Sequence, residues 1–79
     1  MDYDKEKLDE VVLALLYLTS FTEHGITRAW KGHDWDVLNR LHEKGLISDP
    51  KNKNKSVVLS ELAAKESAKL FWKYFGKQP

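Results

Sequence analysis

One stretch in the second half of the chain constrains the fold more than any other. Asp34–Lys44 predicts an amphipathic helix that begins with a typical N-cap residue and carries Leu38 and Leu41 on its apolar side. Gly45 follows at the position where helices end in the left-handed conformation, and Leu46-Ile47-Ser48 then begins a short strand. A helix that runs directly into extended chain is therefore the expected centre of the fold.

The extended chain predicts a β-hairpin with a basic tip. Asp49-Pro50 ends the first strand, and Ser56-Val57-Val58-Leu59 is the expected return strand. The loop Lys51-Asn52-Lys53-Asn54-Lys55 between them has no apolar residue. We expect this loop to be exposed to solvent.

Two further helices flank the hairpin. The first is expected from about Asp4 to Thr19, with Asp4 as its cap, and its second half is apolar almost all round. Such a helix needs cover on more than one side, either from the rest of the chain or from a second subunit. The last helix is expected from Glu61 to about Phe75, between the cap Ser60 and Gly76. Its predicted inward face consists of Ala64, Ala68, Phe71, Trp72 and Phe75.

The segment Ile26–Lys31 fits two structures. As a strand it places Ile26, Arg28 and Trp30 on one face, and as a short helix it aligns Ile26, Ala29 and Trp30. The strand is favoured because the run is short and is bounded by Gly25 and Gly32. Glu23-His24-Gly25 before it is typical of a turn.

The length and composition of the chain exclude several classes of protein. A chain of 79 residues, with 42% hydrophobic and 32% charged residues, has room for one small domain over residues 1–79. The chain has no cysteine, which excludes disulfides and thiolate metal sites. The longest apolar run, Val11–Leu18, is too short to span a bilayer, and the acidic start lacks the basic region of a signal peptide. We therefore expect a soluble cytoplasmic protein without a membrane partner.

Two resemblances follow from these residues. The segment Leu38–Ile47, then the lysine loop, then Val57-Val58-Leu59-Ser60-Glu61 resembles winged-helix proteins. Over nearly its full length the chain looks closer to a family of small bacterial proteins of unknown function, through Arg28-Ala29-Trp30-Lys31-Gly32-His33-Asp34-Trp35-Asp36 and Leu41-His42-Glu43-Lys44-Gly45-Leu46-Ile47-Ser48-Asp49-Pro50. Together they imply a mostly helical α+β fold, a truncated winged-helix-like domain with the order α-β-α-β-β-α. It is truncated because only Phe21–His33 separates the first helix from the second.

The winged-helix resemblance suggests weak binding of DNA through the second helix and the basic loop. Arginine and asparagine side chains match base edges, and lysines on a loop bind phosphates. The alternative is an ordinary solvated helix face, on which Asp36 and Glu43 would repel phosphate, and a loop that only keeps the sheet edge soluble. The candidate nucleic-acid contacts are Arg28, Lys31, Asn39, Arg40, Lys51, Lys53 and Lys55.

A protein-interaction module without a nucleic-acid role is the rival hypothesis. It would use the apolar terminal helices, which also suggest a homodimer. The predicted dimer contact consists of Leu13, Tyr17, Leu70 and Tyr74.

Signals for catalysis or metal binding are weak. His24, His33 and His42 are nine residues apart on different predicted elements, unlike typical zinc ligands. The sequence has no glycine-rich phosphate loop and no catalytic triad order. We expect no enzyme activity, no metal and no small-molecule cofactor. The three tryptophans are predicted to lie in the core: Trp30, Trp35 and Trp72.

Overall fold

Helices and strands alternate along the chain in a computed structural model that describes residues 2–77. The elements are α1 (Lys5–Leu18), β1 (Ser20–Glu23), β2 (Ile26–Trp30), α2 (Trp35–Glu43), β3 (Ser56–Leu59) and α3 (Glu61–Phe75). The described residues form a small α+β domain in which three helices accompany a three-stranded antiparallel sheet. The α+β class is confirmed and the succession of elements matches the expectation, except that β1 is additional and the first strand of the predicted hairpin is reduced to a bridge; the winged-helix form of the prediction is not confirmed.

Each helix begins at the cap that the sequence predicts. The Asp4 carboxylate accepts a hydrogen bond from the backbone N–H of Lys7 at 3.0 Å. The Asp34 carboxylate does the same for the N–H of Val37 at 3.2 Å, and Ser60 Oγ for that of Ala63 at 3.0 Å. These bonds satisfy N–H groups that have no partner within the helix, so local sequence decides where the helices start.

The segment after α1 forms a tight hairpin. β2 confirms the strand interpretation of Ile26–Lys31, and it pairs with β1, a strand that the sequence analysis missed. His24 and Gly25 join the two strands with φ values of 53° and 77°, the two left-handed residues of a type I′ turn. β1 was missed because its four residues show no strong alternation and lie at the edge of the sheet.

The predicted hairpin of residues 46–59 is only rudimentary. β3 forms its ladder with β2, with Val57 opposite Ala29 and Leu59 opposite Thr27. The segment before the lysine loop contributes a single bridge, between Ile47 and Leu59. Asp49-Pro50 ends the extended chain after three residues. The main partner of β3 is therefore β2, with which it forms a four-residue ladder.

The core lies between the inner face of the sheet and the helices. Its buried residues are Val12, Leu13, Leu16, Ala29, Val37, Leu38, Leu41, Ile47, Val57, Leu59 and Ala63. On α3 the fully buried residues are Ala63 and Ser67, so the prediction of the inward face of this helix was wrong. The small side chains of this helix face the core, while Trp72 and Phe75 are 61% and 47% exposed. Trp30 and Trp35 are also about half exposed, at 51% and 54%, which corrects the expectation of a tryptophan core.

None of the helices within residues 2–77 combines the length and the apolar character that a membrane crossing needs.

A buried ion cluster joins α1 to α2. Asp9 on α1 is only 2% exposed. Arg40 on α2 donates to both of its carboxylate oxygens, through Nε at 3.0 and 2.9 Å and through Nη2 at 2.7 Å. Lys44, one turn later, reaches the same carboxylate at 3.1 Å. Burial opposes ionisation of Asp9, but the hydrogen bonds from Arg40 and Lys44 outweigh it, and the pKa of Asp9 lies below its ordinary value of 3.8.

Replacing Asp9 by asparagine should destabilise the fold in a pH-dependent way. We expect Asp9→Asn to lower the free energy of unfolding at pH 7 by about 2–3 kcal/mol, because two cations lose their buried partner. The folded-state pKa is depressed, so this stabilisation is full well above pH 3.8 and is lost as the pH falls through the folded-state value. The difference between wild type and variant should therefore close in acid.

Urea unfolding from pH 7 down to pH 3 measures this difference. Glu43→Gln, which removes an exposed carboxylate from α2, is the matched control and should change stability little at any pH. A constant difference between wild type and Asp9→Asn across this range would contradict the assignment.

Candidate nucleic-acid interface

The outer face of the sheet exposes aromatic and apolar side chains. Side chains alternate along β2, and Ala29 points into the core, so Ile26, Arg28 and Trp30 lie on the opposite face, as the strand interpretation predicts. Ile26 and Trp30 are 47% and 51% exposed, and Arg28 is half-buried. This face therefore combines a cation with large exposed hydrophobic groups.

A cross-strand row extends this surface over all three strands. Arg28 lies opposite Phe21 of β1 on one side and opposite Val58 of β3 on the other. Phe21 is 48% exposed. A carboxylate, Glu23, lies on the same strand as Phe21 at the turn end of the sheet, where it pairs with Ile26. The other end, around Trp30, adjoins the lysine loop.

Gly32 determines where the indole of Trp30 lies. A Cβ atom built on Gly32 would collide with Nε1 of Trp30. The absence of a side chain at position 32 therefore leaves the space that the indole occupies beside the sheet.

The lysine loop is ordered around the ammonium group of Lys31. This group donates to the backbone oxygens of Pro50 at 2.8 Å and Asn52 at 3.0 Å, and to the Asn52 side-chain oxygen at 3.0 Å. The backbone N–H of Lys31 also donates to the carbonyl of Lys55 at 3.2 Å, which fixes the loop beside the end of β2. Lys31 thus stabilises the loop, and its ammonium group is already hydrogen-bonded to loop oxygens.

Three other lysines of the loop remain exposed. Among the described residues, no ion pair involves Lys51, Lys53 or Lys55. Their backbone is held by side-chain turns, in which Asp49 accepts from the N–H of Lys51 and Asn52 accepts from that of Asn54, both at 2.9 Å. The loop that adjoins the end of β2 at Trp30 thus carries three exposed lysines.

The outer face of α2 does not join this surface. Arg40 keeps only 24% of its side chain exposed and is bonded to Asp9, and this partner raises its pKa further. Asn39 is half-buried, while Asp36 and Glu43 are exposed. Of the seven predicted contacts, Arg28 lies on the outer face of the sheet, and Lys51, Lys53 and Lys55 lie in the loop that Lys31 holds beside the end of β2. The sequence analysis missed Phe21 because β1 itself was missed.

The four residues predicted to form a dimer contact lie together within one chain. Leu13 is buried and Leu70 packs against the core. The ring of Tyr17 packs against that of Phe71 in a tilted arrangement with 5.3 Å between centroids, and the Tyr74 hydroxyl donates to Glu10 at 2.6 Å. These residues join α1 to α3 within one chain, and Tyr17, Leu70 and Tyr74 are only half-buried there.

The three histidines lie apart, and the described residues hold no cluster of three metal-ligating side chains. His24 is in the β-turn, and His42 on α2 makes a 3.0 Å hydrogen bond through Nδ1 to the carbonyl of Ile47. Burial lowers the pKa of His33, which precedes α2. We assign these histidines no ligand.

Comparison with known proteins places the chain in a family whose function is unknown. Residues 4–77 match the model of a domain of unknown function, DUF6429. The chain belongs to this family. It is also 49% identical over 75 residues to the uncharacterized protein y4hR of Sinorhizobium fredii (strain NBRC 101917 / NGR234), an alignment that covers 95% of this chain and 97% of the relative. No solved structure matches the chain significantly. The expectation of a family of unknown function is confirmed, and the winged-helix resemblance has no support from these comparisons.

Removing the ammonium group of Lys31 should release the lysine loop. In Lys31→Met the aliphatic stem remains, but three oxygen acceptors of the loop lose the ammonium donor that joins them. We expect backbone order parameters of residues 51–55 to fall from near 0.85 to below about 0.6 in 15N relaxation measurements. Lys53→Met, at an exposed position, is the control and should leave them unchanged. A rigid loop in Lys31→Met would show that the side-chain turns hold it without Lys31.

Proposed function

We propose that the protein binds single-stranded nucleic acid on the outer face of its sheet. In this proposal bases stack on Trp30 and Phe21, and the phosphates contact Arg28 and the loop lysines. The observation that carries the proposal is the juxtaposition of an aromatic and arginine row with three unpaired lysines on one exposed surface.

The chemistry of this surface fits a single strand. Proteins that bind single strands combine aromatic platforms, on which unpaired bases stack, with cations that follow the backbone. Trp30 and Phe21 are each about half exposed, which leaves ring surface for a base. Lys51, Lys53 and Lys55 lie in a loop beside Trp30, so a strand stacked on the indole would continue past them.

A duplex is the less favoured ligand. Docking as a winged helix would place α2 in the major groove and the lysine loop on the backbone. The guanidinium fork of Arg40, which would read guanine, is already bonded to Asp9, and Asp36 and Glu43 would repel phosphates. The sheet face carries no such conflict near Trp30.

Neutralising the loop lysines should weaken binding and reduce its salt dependence. We expect the variant Lys51→Ala, Lys53→Ala, Lys55→Ala to bind a 12-nucleotide oligothymidylate at least about tenfold more weakly at about 50 mM salt. The slope of log K against log salt should shrink by about 2, because three phosphate contacts are lost at about 0.7 each. Tryptophan fluorescence quenching measures both.

The control has the same change of charge elsewhere on the protein. Lys65→Ala, Lys69→Ala, Lys77→Ala removes three exposed lysines in and just after α3 and should bind nearly as wild type. If both triple variants weakened oligonucleotide binding equally, the binding would depend on the overall charge of the protein and not on the loop. Tighter binding of the matching duplex would favour α2 and the loop as the contact.

A single tryptophan should carry part of the affinity. Trp30→Ala is expected to weaken oligonucleotide binding by about tenfold, since stacking of one base contributes about 1–3 kcal/mol. Trp35→Ala is the matched control, because Trp35 is equally exposed but lies on α2. Isothermal titration with the same oligonucleotide measures both variants. If Trp30→Ala and wild type bound the oligonucleotide with equal affinity, bases would not stack on Trp30 and this part of the proposal would be wrong.

A protein partner is the second candidate. It is favoured by the exposure of large apolar side chains on the terminal helices, where Leu18 and Leu62 are 64% and 61% exposed and Trp72 is 61% exposed. A partner docked on these helices would depend little on salt, in contrast to an oligonucleotide on the sheet.

A further inference from the structure

An apolar stripe of α1 points away from the helices that pack on it. Leu8, Val11, Leu15 and Leu18 follow one another at spacings of three, four and three residues, which places them along one side of the helix. Leu18 is 64% exposed, and the other three are half-buried, with Leu8 also packed against the edge of the core. The remaining sides of α1 are occupied, by α2 at Asp9 and by α3 through Glu10 and Tyr17.

A groove lies at the amino-terminal end of this stripe. It is an open, almost entirely apolar groove of about 450 Å³, lined by Tyr3, Asp4, Lys7, Leu8 and Val11. Tyr3 forms one wall and is itself 54% exposed. One end of the stripe is therefore concave, while the other end carries the protruding side chain of Leu18.

The spacing of the stripe is the same in both directions along the helix. A two-fold axis that crosses α1 at the level of residue 13 places Val11 opposite the partner's Leu15. The same axis places Leu8 opposite the partner's Leu18. The protruding end of each copy thus falls on the concave end of the other, as an isologous interface requires.

We propose that the stripe is an interface between two copies of this chain, in which α1 pairs antiparallel with α1 and Leu18 of each copy enters the groove beside Tyr3 of the other. This surface is separate from the sheet face and does not depend on nucleic-acid binding.

The charges beside the stripe favour the antiparallel orientation. In that orientation Lys7 lies opposite the partner's Thr19, at the carboxyl end of α1. The last turn of α1 has no basic residue of its own, so the ammonium group of Lys7 complements the negative end of the helix dipole there. A parallel pair would place Lys7 opposite the partner's Lys7, where like charges repel.

The predicted dimer is weak. The stripe covers less than two full heptads, and short helix pairs of this length associate only modestly. We expect a dissociation constant on the order of tens of micromolar, so the dimer should form only at high protein concentration.

Sedimentation equilibrium of the full chain from about 5 to 500 µM tests the association. We expect the mass to rise from monomer towards dimer over this range, and Leu18→Glu to weaken dimerisation at least about tenfold. Leu62→Glu is the matched control, because Leu62 on α3 is 61% exposed but lies outside the stripe. Circular dichroism checks that both variants stay folded.

Cysteine cross-linking tests the orientation, since the chain has no cysteine of its own. Val11→Cys and Leu15→Cys variants are oxidised separately and as a mixture. The antiparallel register predicts that the mixture gives far more disulfide-linked dimer than either variant alone. A parallel pair would instead link each variant to itself.

Three results would overturn the proposal. The first is a monomer at all concentrations tested. The second is a dimer that Leu18→Glu and Leu62→Glu affect equally, which would place the interface elsewhere. The third is cross-linking within each single variant that the mixture does not exceed, which would reject the antiparallel pairing.

Discussion

The buried carboxylate of Asp9 is the constraint on which the arrangement of the helices depends. A charge that is 2% exposed must be paired, and its partners are Arg40 on α2 and Lys44, the residue that caps the end of this helix. This pairing fixes the rotation of α1 about its axis. Glu10 and Tyr17 consequently face α3, and the apolar stripe that ends at Leu18 is left on the outside.

The same ion cluster determines which cations are available to a ligand. Arg40 and Lys44 are used inside the fold, and Lys31 is used to hold the loop that follows α2. The loop lysines therefore become the free positive charge next to the sheet. The outer face of α2, which the sequence suggested as a contact for DNA bases, has its arginine paired with Asp9. The exposed lysines lie instead in the loop at the end of β2, beside Trp30.

The small core explains why so many aromatic rings are exposed. α3 turns the small side chains of Ala63 and Ser67 into the core, and its aromatic rings lie farther along the helix. Phe71 is half-buried against Tyr17 of α1, and the more exposed rings of Trp72 and Phe75 pack against Phe71 with centroid distances of 5.3 and 5.4 Å. The domain thus offers two unlike surfaces, a sheet face with aromatic and cationic groups and helix faces that are mainly apolar.

The sequence by itself determined the features that depend on neighbouring residues. The caps Asp4, Asp34 and Ser60 and the left-handed Gly45 set the ends of the helices, because each acts on backbone groups within a few residues. Only the tertiary structure decided that β3 pairs with β2, that α3 turns Ala63 inward, and that Arg40 bonds to Asp9. Each of these joins residues distant in sequence, and periodicity and propensity contain no information about which distant partner a residue will meet. The same distinction holds for the candidate site. The lysines and Arg28 could be predicted from the sequence. The place of Phe21 on the sheet and the pairing of Arg40 with Asp9 depend on contacts between residues distant in sequence.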